Sequence, residues 1–187
     1  VDMSIIRKKA YLDAFVMINK TDEIPVKMLL DTGSSDAVWL FEDERIQLPE
    51  KHYEDFLGQG LAGNIYGKRT KINHLKIADF ILSDAKAAFP DMETFTTITD
   101  FGGRNGSLGG EVIKRFNIAF DYTNKKLILT KNSNFDKLFQ YNISGIDLQH
   151  AGMRYVSERI ADANGVVHKD AKSYGNVQIV LQGATRL

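Results

Sequence analysis

The sequence contains no cysteine among its 187 residues. Disulfide bonds, thiolate metal sites and cysteine nucleophiles are therefore excluded. An excess of one charge is also missing, since 24 lysines and arginines stand against 24 aspartates and glutamates. This balance gives no sign of a nucleic-acid-binding surface, and no apolar run approaches the roughly 18 residues of a membrane-spanning helix. We expect no nucleic-acid partner and no membrane-spanning segment.

Proline is also scarce, with three residues against 15 glycines. Short β-branched and aromatic runs alternate with Gly, Asn and Asp, a pattern typical of a mainly β chain. We predict an all-β fold with one or two short helices, at residues 50–56 and 111–116. The predicted strands cover residues 11–18, 25–30, 38–41, 64–70, 72–77, 80–82, 86–89, 118–122 and 126–130.

A polar stretch at residues 131–134 divides the chain into a first domain, residues 1–132, and a tail, residues 139–187. The tail is too short to bury a good core alone. Its predicted strands are residues 155–160 and 177–181, with turn-like pairs at 164–165 and 174–175.

The most informative segment is an apolar strand that ends in Asp31-Thr32-Gly33-Ser34. A carboxylate at the end of a buried strand is costly to ionise unless donors surround it. The residues after Asp31 offer backbone N–H groups and hydroxyls at close range. We predict Asp31 as a catalytic acid, with Thr32, Gly33 and Ser34 supporting its loop. The alternative is an Asx turn that merely ends the strand.

A second segment, Ser107-Leu108-Gly109, lies ahead of a predicted short helix and strand, with Gly109 78 positions after Asp31. Together the two segments resemble the pepsin and retropepsin superfamily, in which an Asp-Thr/Ser-Gly loop is crossed by a strand ending in hydrophobic-hydrophobic-Gly. The resemblance implies that Leu108 and Gly109 belong to this crossing strand. Ser107 departs from the pattern because it is polar where an apolar residue is usual.

The glycine-rich residues 58–63 match the dinucleotide-binding pattern G-x-G-x-x-G. We reject that interpretation because the next residues, 64–70, are strand-like, whereas the pattern requires a helix there. The resemblance implies instead a flap, a glycine-rich hairpin that bends over a peptide. An ordinary flexible hairpin is the alternative. The predicted flap and substrate-binding residues are Gly58, Gly60, Leu61, Gly63 and Tyr66.

Residues 11–131 are similar to the retropepsin-like aspartyl proteases of Bacteroidetes, which often carry a PDZ domain. The resemblance implies an acid-protease β-barrel lobe, an exported or periplasmic protein, and an incomplete PDZ-like segment at residues 139–187. Members often have two lobes, each with its own Asp-Thr-Gly. Because the chain opens at Val1 and its tail also looks cut, we expect the C-terminal lobe of a bilobal enzyme.

The predicted function is that of an aspartic endopeptidase lobe acting on polypeptides. Its chemistry needs two carboxylates that share one proton. The second is expected either from a homodimer partner or from an N-terminal lobe, and a single lobe alone is expected to be inactive. The alternative is a non-catalytic peptide-binding module with a PDZ neighbour.

Other polar residues receive a structural interpretation. Three further acids, Asp91, Asp100 and Asp121, lack an Asp-Thr-Gly context. The pairs Lys68-Arg69 and Lys125-Lys126 are interpreted as solvated hairpin faces. The scattered histidines show no metal spacing, and we predict neither a metal nor a cofactor. They are His52, His74, His150 and His168.

Overall fold

The structure is a computed structural model, and it divides the chain into two compact units, Val1–Gln140 and Tyr141–Leu187. Two residues named above, Leu61 and Asp100, lie outside the described residues. Within the described part of the chain, no helix has the length and apolar character to cross a membrane. The structure describes residues 1–60, 63–91, 93, 103–141 and 146–181, with side chains at 152–175 in the last range.

The first unit is built around an eight-stranded sheet in the order β1-β2-β3-β8-β4-β7-β6-β5. Its strands are β1 (Met3–Ile6), β2 (Lys9–Met17), β3 (Ile24–Leu30), β4 (Val38–Leu40), β5 (Tyr53–Gly60), β6 (Gly63–Ile77), β7 (Phe80–Pro90) and β8 (Gly106–Leu108). Strand β2 also pairs with β6, through Phe15 and Lys76. This pairing closes β2, β3, β8, β4, β7 and β6 into a barrel. The predicted all-β barrel is confirmed.

The core fills the interior of this barrel because alternate residues of each strand point inward. In β2 the side chains of Leu12, Ala14 and Val16 are buried, whereas Asp13 and Phe15 between them are exposed. The same core contains fully buried residues from the other strands, among them Met28, Val38, Leu75 and Leu108.

A short helix and a second hairpin follow the barrel. Helix α1 (Gly110–Ile113) leads into β9 (Phe116–Asp121), which pairs antiparallel with β10 (Lys126–Lys131). The chain start lies on β10, since the Val1 amino group donates to the Leu127 carbonyl at 2.8 Å.

One secondary-structure prediction for this unit is wrong, and four predicted strands merge into two longer ones. Residues 50–56 were predicted as a helix, but β5 begins at Tyr53. There Asp55 and Leu57 are buried while Glu54 and Phe56 are less so, which is the period of two that a strand requires. The strands predicted at 64–70 and 72–77 form one continuous strand, β6, and those at 80–82 and 86–89 form β7.

The second unit contains β11 (Ile146–Ala161) and β12 (Val167–Leu181), which pair as an antiparallel hairpin. Both strands predicted in the tail lie within this hairpin. The predicted turn at Asn164-Gly165 connects its strands, where the Gly165 amide donates to the Asp162 carbonyl at 2.9 Å. The turn predicted at Tyr174-Gly175 is wrong, because both residues pair within β12 opposite Arg154 and Met153.

Candidate active site

The loop that carries Asp31 begins where β3 ends, and β8 lies beside it. Strand β8 pairs parallel with β3 and antiparallel with β4, and Leu108 is the partner of both Leu30 and Val38. The Asp31 amide donates to the Leu108 carbonyl at 2.9 Å. The structure therefore brings together Asp31 and the strand predicted to cross its loop.

Gly109 marks the closest approach between this strand and the loop. A Cβ atom at Gly109 would lie 2.3 Å from the Asp36 carbonyl oxygen and 3.0 Å from that of Ser34. Only glycine permits this approach. The Gly109 amide donates to the Ala37 carbonyl at 2.9 Å, and the Gly110 amide donates to the Ser34 carbonyl at 2.7 Å. Residues 34–37 are thus fixed by the backbone that follows β8.

The Asp31 carboxylate is held by its own loop. Its Oδ1 atom accepts from the Gly33 amide at 3.1 Å, and the Ser34 amide donates to the Asp31 carbonyl at 3.3 Å. Asp31 is half-buried, whereas Thr32 and Gly33 are exposed. The acid group therefore lies where β3 reaches the surface. The residue before it, Leu30, pairs with Leu108, which is fully buried.

Two of the three further acids named above, Asp91 and Asp121, have hydrogen-bond partners other than Asp31. Asp91 accepts from the Lys68 ammonium at 2.8 Å. Asp121 accepts from the Asn124 amide at 2.9 Å in the turn between β9 and β10. These contacts account for both carboxylates locally.

The predicted flap is a hairpin of β5 and β6. Its Gly58 and Gly63 have φ angles of 140° and 124°, a region that favours glycine. Tyr66 is 52% exposed, and its ring contacts the edge of Phe56 at a centroid distance of 5.5 Å. Gly60 ends β5 beside Ile65, and no helix begins in the described residues here. The segment therefore lacks the helix that dinucleotide binding requires.

Arg69 joins the predicted flap to the loop that follows Asp31. Its Nη1 atom lies 2.5 Å from Asp36 Oδ1, and its Nε atom lies 2.6 Å from Asp55 Oδ2 in β5. Asp36 also accepts from the Trp39 indole at 2.6 Å. Burial alone would lower the pKa of Arg69, but the two adjacent carboxylates raise it overall. The guanidinium therefore stays charged and paired at this position.

The interpretation of Lys68-Arg69 as a solvated pair is wrong for Arg69, whose side chain is 14% exposed. Consecutive residues of a strand point to opposite faces. Lys68 faces Asp91, while Arg69 faces Asp36 and Asp55. This alternation was available in the sequence, but the acidic partners, 33 and 14 positions away, were not identifiable without the fold.

Arg104 is a further cation near the acid that the sequence analysis missed. Burial lowers its pKa, and the electrostatic attraction of Tyr11 and Asp31 opposes that shift. Its guanidinium lies over the Phe41 ring, 5.3 Å from the centroid. A half-buried arginine thus adds positive potential around Asp31.

Comparison with known families agrees with this geometry. A family model described as aspartyl protease matches residues 15–112, slightly more than half of the chain. The match includes Asp31, both strands of the predicted flap, β8 and Gly109. The chain belongs to the aspartyl protease family. No curated protein matches the chain.

Membership of the aspartyl protease family supports a protease-like function with a peptide as the substrate class. The matched region begins within β2 and ends within α1. It thus covers the closed barrel from β3 to β8. The hairpins β9–β10 and β11–β12 lie beyond it.

Proposed function

We propose that this aspartyl protease lobe hydrolyses peptide bonds with Asp31 as one of two catalytic carboxylates. The observation that carries the proposal is the position of Asp31 at the end of β3, with its amide on the Leu108 carbonyl and its loop packed on Gly109. A turn that only ended a strand would have no need of this crossing. Thr32, Gly33 and Ser34 support the loop.

The reaction divides its work between two acids. Carboxylates about 3 Å apart cannot both ionise, so one stays protonated while the other stays charged. The charged group removes a proton from water, which attacks the scissile carbonyl carbon, and the protonated group donates to the carbonyl oxygen. Breakdown of the tetrahedral intermediate then releases the amine, with the proton returned to it.

The second carboxylate is proposed to come from outside this lobe. The sequence contains a single Asp-Thr-Gly, at Asp31. A second copy related by a two-fold axis would place Asp31 opposite Asp31. The alternative is an N-terminal lobe that makes this chain the C-terminal half of a bilobal enzyme, as in the bacterial relatives that the sequence resembles.

The flap is proposed to close over the bound peptide. Gly58, Gly60 and Gly63 allow the hairpin to bend. Tyr66 offers an exposed aromatic side chain for substrate contact. Leu61, between Gly60 and Gly63 in the sequence, is assigned to the same role.

A non-catalytic peptide-binding module is the second candidate. The observation that favours it is the β11–β12 hairpin. Among the described residues it forms a sheet of two strands, and the edge of such a sheet can pair with an added peptide strand. We propose that residues 139–187 are an incomplete PDZ-like segment. A module that only binds peptides has no role for an acid fixed by a crossing strand, as Asp31 is by β8.

Cleavage of an unfolded protein at about pH 4–6 tests the proposal. We expect Asp31→Asn to lower the rate at least about 10²-fold. Asp79→Asn, at an exposed turn, is the matched control and should leave the rate unchanged. If a homodimer supplies the second acid, the specific activity should rise with chain concentration. Equal, pepstatin-insensitive cleavage by the Asp31→Asn variant would remove the enzyme interpretation.

A further inference from the structure

One guanidinium connects three segments that act together in the proposed reaction. Arg69 belongs to β6, and its two hydrogen-bonded partners are Asp36, in the loop that starts at Asp31, and Asp55, in β5. Strands β5 and β6 are the two sides of the flap. The flap and the catalytic loop therefore share one donor group.

The strand register explains how these distant residues meet. Trp39 pairs with Ala88, and Ala88 pairs with Arg69, so these residues form a row across β4, β7 and β6. Paired residues project from the same face of a sheet. Trp39 also pairs with Ser107, which pairs with Leu29, two residues before Asp31. Arg69 thus lies on the sheet face that leads to the catalytic acid.

Burial strengthens the ion pairs of Arg69 with Asp36 and Asp55. The side chains of Arg69 and Asp36 are both 14% exposed, and that of Asp55 is 3% exposed. Hydrogen bonds between ionised groups are stronger away from water, and buried pairs are screened less by salt. The neighbouring Lys68–Asp91 pair is 30% and 40% exposed, which makes it a natural comparison.

We propose that Arg69 is a positioning residue that fixes the flap relative to Asp31 by holding Asp36 and Asp55 at once. The inference rests on the proposed protease function, although the physical link it describes is measurable without catalysis. Arginine suits the position because its planar fork presents donors in two directions, whereas a lysine offers one compact charge. Asp36 transmits the position to the loop, since the Trp39 indole donates to its other carboxylate oxygen and the Glu111 amide donates to its carbonyl at 3.2 Å.

Hydrogen exchange measured residue by residue tests the link itself. In Arg69→Met we expect amides on both sides of the link, at residues 33–36 and at 56–60 with 63–66, to exchange about 10-fold faster. Lys68→Met is the matched control, because it removes an ion pair from the same strand without touching the loop, and it should leave residues 33–36 unchanged. Unaltered exchange in residues 33–36, or equal acceleration in β2 and β3, would overturn the inference.

Asp36→Asn provides a second variant should Arg69→Met fold poorly. It weakens the loop side of the link and leaves the Arg69–Asp55 pair in place. We expect it to speed exchange in the flap, although Asp36 lies outside the flap. Asp55→Asn should loosen the flap and leave residues 33–36 protected. Absence of this asymmetry would show that Arg69 stabilises the barrel only in a general way.

Cleavage kinetics complete the test. Arg69→Met is expected to lower kcat/KM about 10- to 100-fold through kcat and KM together. Combining Arg69→Met with Asp36→Asn should cost no more than the worse single change, and Arg69→Lys should restore only part of the loss. Wild-type kinetics in Arg69→Met would refute the inference while Asp31-dependent cleavage still supported the proposed function. Altered exchange without Asp31-dependent cleavage would refute the proposed function alone.

Discussion

Replacing Gly109 with alanine puts a methyl group where the structure has no room. Its Cβ atom would lie 2.3 Å from the Asp36 carbonyl oxygen, whereas ordinary contacts begin at 3.4 Å. The closest obstructing atom, the Asp36 carbonyl oxygen, belongs to the backbone, which has no rotamer by which to move aside. The loop and the segment after β8 must therefore separate by about 1 Å.

The cost follows from what joins the two segments. Overpacking of this kind costs about 1–3 kcal/mol. The separation also weakens the hydrogen bonds from the amides of Gly109 and Gly110, each worth about 1 kcal/mol. We expect Gly109→Ala to lower the free energy of unfolding by about 3–5 kcal/mol. A displacement of about 1 Å near the reacting groups should also lower the cleavage rate about 10²-fold.

Urea unfolding followed by intrinsic fluorescence measures the first effect. The matched control is Gly110→Ala, whose Cβ atom would lie 3.1 Å from the Ser34 carbonyl oxygen and nothing closer. That contact requires a shift of only a few tenths of an ångström, so the control should cost much less than Gly109→Ala. Equal unfolding midpoints for the two variants would refute the close approach at Gly109.

Two further predictions concern side chains away from Asp31. Arg115 is 1% exposed and donates to the carbonyls of residues 111, 134, 135 and 137. Arg115→Lys should lower the free energy of unfolding in urea by about 3 kcal/mol, because one ammonium leaves several of these carbonyls without donors. A loss below about 1 kcal/mol would contradict this role. Burial opposes the low pKa of Asp43, but the amides of Ile46 and Arg45 lower it below 3.8. Its contribution is therefore present above the unfolded-state pKa and lost as the pH falls through the folded-state value. Asp43→Asn should cost about 1 kcal/mol at pH 7 and less at pH 2–3; an equal cost at both would show that its charge has no part.

The barrel was predictable because its strands carry local signals. Strand β3 is predicted by the apolar run that ends at Asp31 and by the turn residues that precede this run. Neither signal requires knowledge of the partner strands. The closure of the barrel by Phe15 and Lys76 has no such signal, since it depends on curvature accumulated over the whole sheet.

The candidate site shows the same division between local and distant information. Asp31 and Gly109 were identified from short motifs and their resemblance to a family. The roles of Arg69 and Arg115 were missed because a buried arginine and a solvated one look alike in sequence. Their acceptors are carboxylates and carbonyls that only the folded chain brings near. Strand alternation separates Lys68 from Arg69, but it does not say which face is covered.

The Arg69 link also bears on how the flap would move. A hairpin tied to the loop at its base has freedom mainly toward its tip, where Gly58, Gly60 and Gly63 lie. Under the proposed function, the buried base holds the two hairpin strands in place, and the glycines permit closure over a peptide. The base of the hairpin thus provides stability, and its glycine-rich end provides the freedom to move.

Binding of a peptide analogue with a hydroxyl group in place of the scissile carbonyl tests the central claim most directly. The measurement is isothermal titration of the species that cleaves protein. A hydroxyl shared by two carboxylates predicts one ligand for each pair of lobes, with at least about 10²-fold weaker binding in Asp31→Asn. Equal affinity in that variant, or one ligand bound by each lone lobe, would contradict the account.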